Sequence, residues 1–216
     1  MAVAPLNKFL TIAVPVAPGI TTVYTTPTGV SAIVLFATVA NVGIGTTYPK
    51  ATFTHRRKST ATQTFGNTRN IRIIKEAEIP PNDSLVVIDG RLVLERTALI
   101  SDSIVVSGVQ SGIVTVSDAQ YDHVSGVATI TTLTDHGFNV DDEVTMSNLN
   151  FTVGSGSVNF PDPQRSFIVT QRNSATEFET NAGIAANAHT NYVSNSGSVS
   201  PLQMELVVSI LENSTS

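Results

Sequence analysis

Short apolar runs separated by Gly, Pro and Asn fill most of the chain. No stretch of about 12 residues places apolar side chains at i, i+3, i+4 and i+7, so amphipathic helices are not expected. The runs have the length and content of strands. The clearest in the first half are Phe9–Val16, Ile20–Thr25, Ser31–Val42, Lys50–His55, Ile71–Glu78, Ser84–Ile88, Arg91–Glu95 and Ser103–Ser107. Gly112–Ser117, Gly126–Leu133, Glu143–Ser147, Ser166–Gln171, Glu177–Thr180 and Leu202–Leu211 follow. Ala17-Pro18-Gly19 and Thr26-Pro27-Thr28-Gly29 place Pro early and Gly late, as tight turns prefer. Asp89-Gly90 lies between two apolar runs and predicts a hairpin. Many short strands at this spacing predict an all-β protein built on an antiparallel sandwich, jelly-roll-like or immunoglobulin-like.

The last run decides the domain layout. Leu202, Met204, Leu206 and Val208 alternate with Gln203, Glu205, Val207 and Ser209, the period of one strand. A lone strand is not stable and needs a neighbour. Its expected partner is Ser103–Ser107, the strand before a break near Gly108. Ser194-Asn-Ser-Gly-Ser-Val-Ser200 has the composition of a flexible linker. Residues 1–108 plus 201–216 are therefore expected to form one discontinuous sandwich. Residues 109–200 form a second, smaller β module inserted near its C-terminus, where insertion at a hairpin tip is tolerated.

Composition agrees with strands. Val, Ile and Thr number 27, 16 and 28 of 216 residues, and β-branched side chains suit a pleated surface. Charged residues are only 13%. With no Cys, thiol chemistry and Cys-based zinc sites are excluded. The longest apolar stretch, Val30 to Ile44, is short of the roughly 20 residues that span a bilayer. The N-terminal residues lack a charged lead followed by a clean apolar run, so no signal peptide and no membrane contact are expected.

Charge is divided along the chain. Residues 1–100 hold ten Lys and Arg against five Asp and Glu; residues 101–216 hold two against twelve. An acidic pI near 5.3 argues against general nucleic-acid binding. Lys50, Arg56, Arg57, Lys58, Arg69, Arg72 and Lys75 concentrate the basic charge, with Phe53 and Phe65 between them and a polar loop over residues 59–67. Three readings are open: a nucleic-acid contact, a docking face for an acidic neighbour, or a solvated edge protected by its cations. Arg56, Arg57, Lys58, Arg69, Arg72 and Lys75 are the candidate protein-interaction residues.

Signals for catalysis are weak. Asp122-His123 and Asp135-His136 are adjacent pairs that point to opposite faces of a strand and cannot easily chelate together. His55 and His189 complete the histidines. Asp141-Asp142-Glu143 is the densest acidic cluster, but glycosidases need two carboxylates across a sugar and calcium loops a longer pattern. Ser155 lies between glycines without a following helix, and Gly43-x-Gly45 has no Lys-Ser or Lys-Thr after it. No catalytic residue, metal or cofactor is assigned.

Two segments carry a resemblance. Val16-Ala-Pro-Gly-Ile-Thr-Thr-Val-Tyr-Thr-Thr-Pro-Thr-Gly29, then Ala32–Asn41, Ile79–Leu85, Leu92–Glu95, Asp102–Val106 and Leu206–Glu212, resemble small β-sandwich virion proteins of tailed phages, most closely those of marine cyanophages. Thr131–Met146, with Phe167–Thr170 and Ala175–Phe178, looks like a β module of phage tail and appendage proteins. That module has Gly where this chain has Asp141. The resemblance implies a non-enzymatic structural role in the virion, with other virion structural proteins and further copies of the chain as partners. The alternative is a receptor- or glycan-binding module of a tail fibre.

Overall fold

A computed structural model describes residues 7–44, 47–59, 68–153, 156–185 and 191–214. The expected loop over 60–67, Ser155, Gly45 and His189 lie outside the described residues. The protein is all-β, and no described residue is helical. The first strands are β1 (Asn7–Pro15), β2 (Gly19–Thr25), β3 (Val30–Asn41), β4 (Lys50–Ser59), β5 (Thr68–Glu78), β6 (Ser84–Glu95) and β7 (Ile100–Val109). Next come β8 (Val114–Tyr121), β9 (Val127–Thr132), β10 (Glu143–Ser147), β11 (Asn150–Val153) and β12 (Gly156–Asn159). The last are β13 (Ser166–Arg172), β14 (Glu177–Asn181), β15 (Asn191–Tyr192), β16 (Gly197–Pro201) and β17 (Met204–Ser214).

Two compact units share the chain. Met1–Val16, Ile20–Val109 and Gln203–Ser216 form the first; Ala17–Gly19 and Gln110–Leu202 form the second. The turn Ala17-Pro18-Gly19, expected within the sandwich, thus groups with the second unit.

The first unit is two four-stranded sheets, ordered β1-β17-β3-β6 and β2-β7-β4-β5. Eight strands in that order make a double-sheet jelly roll. Alternation sorts the side chains. Ala32, Val34, Val39, Leu206, Val208 and Ile210 face inward from one sheet, and Phe53, Ile104 and Val106 from the other; all belong to one buried cluster.

Two expectations are corrected. β17 pairs with β1 (Phe9 opposite Leu211) and with β3 (Leu206 opposite Val39), not with β7. β7 lies in the other sheet, beside β4. Apart from the β4–β5 hairpin, consecutive strands of this jelly roll lie in opposite sheets, so nearness in sequence does not choose the partner. Asp89-Gly90 is no hairpin turn: Ser84–Glu95 is a single strand along β3. A register shift sets Leu35 opposite Gly90-Arg91, and Gly90 absorbs the irregularity at φ +148°.

The second unit is a closed six-stranded barrel, β10-β13-β14-β9-β8-β16, with a small sheet β12-β11-β15. Its core holds Phe138, Phe151, Phe167 and Phe178 with Val116, Ile130, Val144 and Val199. The expected linker 194–200 is in large part barrel strand β16, with Val199 fully buried. Its small residues serve packing. A Cβ on Gly197 would fall 2.6 Å from the Leu149 side chain and 2.8 Å from the Ser147 carbonyl oxygen. Ser200 is buried, receiving a hydrogen bond from Gln110 Nε2 (2.7 Å) and sharing one with the Thr145 hydroxyl (3.0 Å).

Candidate docking surface on the β4–β5 hairpin

β4 runs between β7 and β5, and β5 is the edge of its sheet. The regular β4–β7 register sends Ala51, Phe53, His55 and Arg57 to the inner face and Thr52, Thr54, Arg56 and Lys58 to the outer one. The six candidate cations therefore do not share one surface. Arg57 turns toward the interior. Its Nε and Nη2 each donate to the Asp102 carboxylate at 2.8 Å, and Nη2 lies 3.6 Å from Glu95. Asp102 has no exposed surface and also accepts the Glu95 backbone N–H at 3.0 Å. His55 Nε2 approaches Asp102 to 3.3 Å without the alignment of a hydrogen bond.

Burial pushes the Asp102 carboxyl up, but the hydrogen bonds from Arg57 and from the Glu95 N–H, with the charges of His55 and Arg57, outweigh it and hold it below the usual carboxylate range. The Asp102 hydrogen bond raises the Arg57 guanidinium in turn. Arg57 is thus a structural partner of Asp102.

The outer face differs. Arg56 and Arg72 line a cavity of about 100 Å³ with Thr52, Thr54, Asn70 and Ser107, walled by Val105 and Ile20. Arg56 Nε donates to Asn70 Oδ1 at 3.0 Å. Thr54 stands directly opposite Arg72, and Arg56 opposite Asn70, so the two guanidinium side chains are diagonal neighbours. Among the described residues neither has a carboxylate partner. Two guanidinium forks without a carboxylate among the described residues, beside hydroxyl groups, suit a carboxylate or another oxyanion, which Arg binds in bidentate fashion.

Lys58 is exposed near the end of β4. Arg69, also exposed, stands opposite Arg57. Lys75 Nζ lies 3.9 Å from Glu76, and Lys50 Nζ 3.7 Å from Glu78. The sequence showed where the basic charge was concentrated. It did not show the division between faces, because the inward turn of Arg57 depends on Asp102, 45 residues away.

Asp135-His136 is structural as well. His136 is buried against Phe138 and Phe178, with ring centroids 5.1 and 5.2 Å away. Its Nδ1 accepts the Phe138 N–H at 2.9 Å. Asp122 accepts the Ser125 hydroxyl at 2.6 Å and the Val124 N–H at 2.9 Å, closing the β8–β9 turn. Among the described residues no three His, Asp or Glu side chains converge to hold a metal ion.

No protein-family model matches the chain, and no curated protein does. Among solved structures, a chain in the structure of infectious bursal disease virus Gx strain is similar at a TM-score of 0.30 and 6% identity. The match covers 97% of this chain and 41% of that one, so this chain spans about two fifths of the other's length. At that TM-score the likeness decides neither fold nor function.

Proposed function

We propose that this protein is a non-enzymatic structural subunit of a tailed-phage virion that binds neighbouring subunits, further copies among them, through the outer face of the β4–β5 hairpin. The observation that carries the reading is the Arg56–Arg72 pair at a hydroxyl-lined cavity, with no carboxylate partner among the described residues. An acid-rich surface is at hand on every copy. The second unit holds nine Asp and Glu against Arg165 and Arg172. Complementary charge steers such contacts and sets their register. A head-to-tail contact between unlike surfaces generates rings or extended arrays, as a particle requires. The jelly-roll order agrees, since capsid domains use it; lectins use it too, so the fold alone does not choose. Against a glycan-binding module, Phe138, Phe151, Phe167 and Phe178 of the second unit are buried in its core and offer no stacking platform.

The test is particle assembly. Arg56→Glu combined with Arg72→Glu is expected to lower the copies per particle, counted by quantitative mass spectrometry, roughly tenfold, the scale of losing a charge-paired contact. Full incorporation of that variant would overturn the reading.

A further inference from the structure

The nine acids of the second unit are not equally placed to act together on two cations. Asp118, Asp122, Asp142 and Asp162 each turn a carboxylate oxygen to a backbone N–H close in sequence. Glu143 accepts the Ser166 hydroxyl, and Asp135 and Asp141 lie between β9 and β10. Glu177 and Glu179 differ. They alternate with the buried Phe178 and Thr180 on β14, so both half-buried side chains stand on the outer face of the barrel. One amide gathers them: Asn173 Nδ2 donates to Glu177 Oε1 at 2.9 Å and to Glu179 Oε1 at 3.1 Å. Gln171 Nε2 donates to Asn173 Oδ1 at 2.7 Å and orients that amide. Among the described residues no cation pairs with either carboxylate. Arg172, the nearest in sequence, donates instead to the Ser174 carbonyl at 3.2 Å and to Asn139 Oδ1 at 3.5 Å.

We infer that the Arg56–Arg72 pair of one copy takes Glu177 and Glu179 on the outer face of β14 of a second copy. The inference rests on the function proposed above and names the acids for that site. Spacing supports it. Residues i and i+2 of a strand stand about 6.8 Å apart, and a diagonal cross-strand pair about 7–8 Å, so each guanidinium meets one carboxylate. Both pairs are held before they meet, Arg56 by Asn70 and the two glutamates by Asn173, so less side-chain freedom is lost on binding. Like charges this close repel in the free chain, and the opposite pair relieves both repulsions. The surroundings do not compete. Thr52, Thr54 and Ser107 line the cavity, and Thr131 and Thr129 stand directly opposite Glu177 and Glu179; all are neutral. The two surfaces are unlike, so the contact is heterologous, and each copy in an array can use both.

Exchanging the charges tests it, with copies per particle counted as above. Glu177→Lys with Glu179→Lys is expected to lower incorporation roughly tenfold, as Arg56→Glu with Arg72→Glu does. A chain carrying all four substitutions meets further copies with both signs reversed and is expected to recover to within about twofold of the wild type. A change in the jelly roll cannot rescue a misfolded barrel, so recovery reports the contact itself. Glu177→Gln with Glu179→Gln keeps acceptors for Asn173, removes only charge, and is expected to lower incorporation about fivefold. An unchanged circular dichroism spectrum is the folding control for every variant. Full incorporation of the glutamine variant beside loss of the arginine variant would overturn the inference and leave the proposed function standing, with the acid on another subunit. A folded four-substitution chain that incorporates no better than the arginine variant would overturn it as well. Full incorporation of the arginine variant would overturn both.

Discussion

The jelly roll and the barrel solve the same problem by different means. The jelly roll has long strands, 12 residues in β3 and in β6, and fills the space between its sheets mainly with Val, Ile, Leu and Ala; Tyr24 and Phe53 are the aromatic members of its buried cluster. The barrel has strands of five to eight residues and packs four phenylalanines inside, with Tyr121, Phe160 and Tyr192 against them. Long strands accumulate burial through many modest side chains. Short strands need large ones, and each aromatic ring buries about 150–250 Å². Polar interiors differ too. The jelly roll buries the ionised Asp102 beneath Arg57, whereas the buried polar groups of the barrel are Gln110, Ser200, Thr145, His136 and similar uncharged side chains.

Perturbing one unit at a time sharpens this contrast, read by hydrogen exchange on peptides from each. The largest effect is expected from Phe178→Ala, which empties the ring cluster of Phe138, His136 and Phe178 and costs the barrel about 4 kcal/mol. Arg57→Ala strands the Asp102 carboxylate and is expected to cost the jelly roll about 3 kcal/mol, the lower end for a broken buried pair because Arg57 is partly exposed. Equal loss of protection in both units from either variant would erase the distinction drawn here.

The smallest effect is a response to pH. Burial, and then the charge of Arg172, pushes the His136 imidazole below its ordinary value. The unfolded chain therefore binds this proton more readily than the folded barrel. Stability is complete above the unfolded pKa of about 6.5 and declines as pH falls through that value toward the folded one. Barrel peptides are expected to lose protection between about pH 7 and 5, and His136→Asn to remove that dependence. A barrel indifferent to pH over that window would show that the buried imidazole carries no such penalty.

Much of the fold could be read from local pattern. Ser31–Val42, Glu143–Ser147 and Ser166–Gln171 match β3, β10 and β13 within one residue at either end. Side chains alternating on a half-buried strand write their period into the chain. What escaped depends on contacts distant in sequence. Asp89-Gly90 has the composition of a turn, but the length of β3 draws its partner straight through. Ser194–Ser200 has the composition of a linker, yet Gly197 and Ser200 are small because Leu149, Gln110 and Thr145 crowd them. Of the candidate surface, the concentration of cations was legible. The division between inward Arg57 and outward Arg56 and Arg72 was not, because Asp102 settles it from a distant strand.

The pairing of β17 between β1 and β3 has a consequence for synthesis. Asn7 meets Asn213 only after the whole inserted barrel has been made. Ribosomes add about 5–20 residues each second, so β1 and β3 wait roughly 10–35 seconds with the seat between them empty. The barrel, whose strands all lie between Val114 and Pro201, can close during that wait. The part encoded later thus matures earlier, and a chain cut short before residue 204 is expected to hold a finished barrel and an unclosed jelly roll.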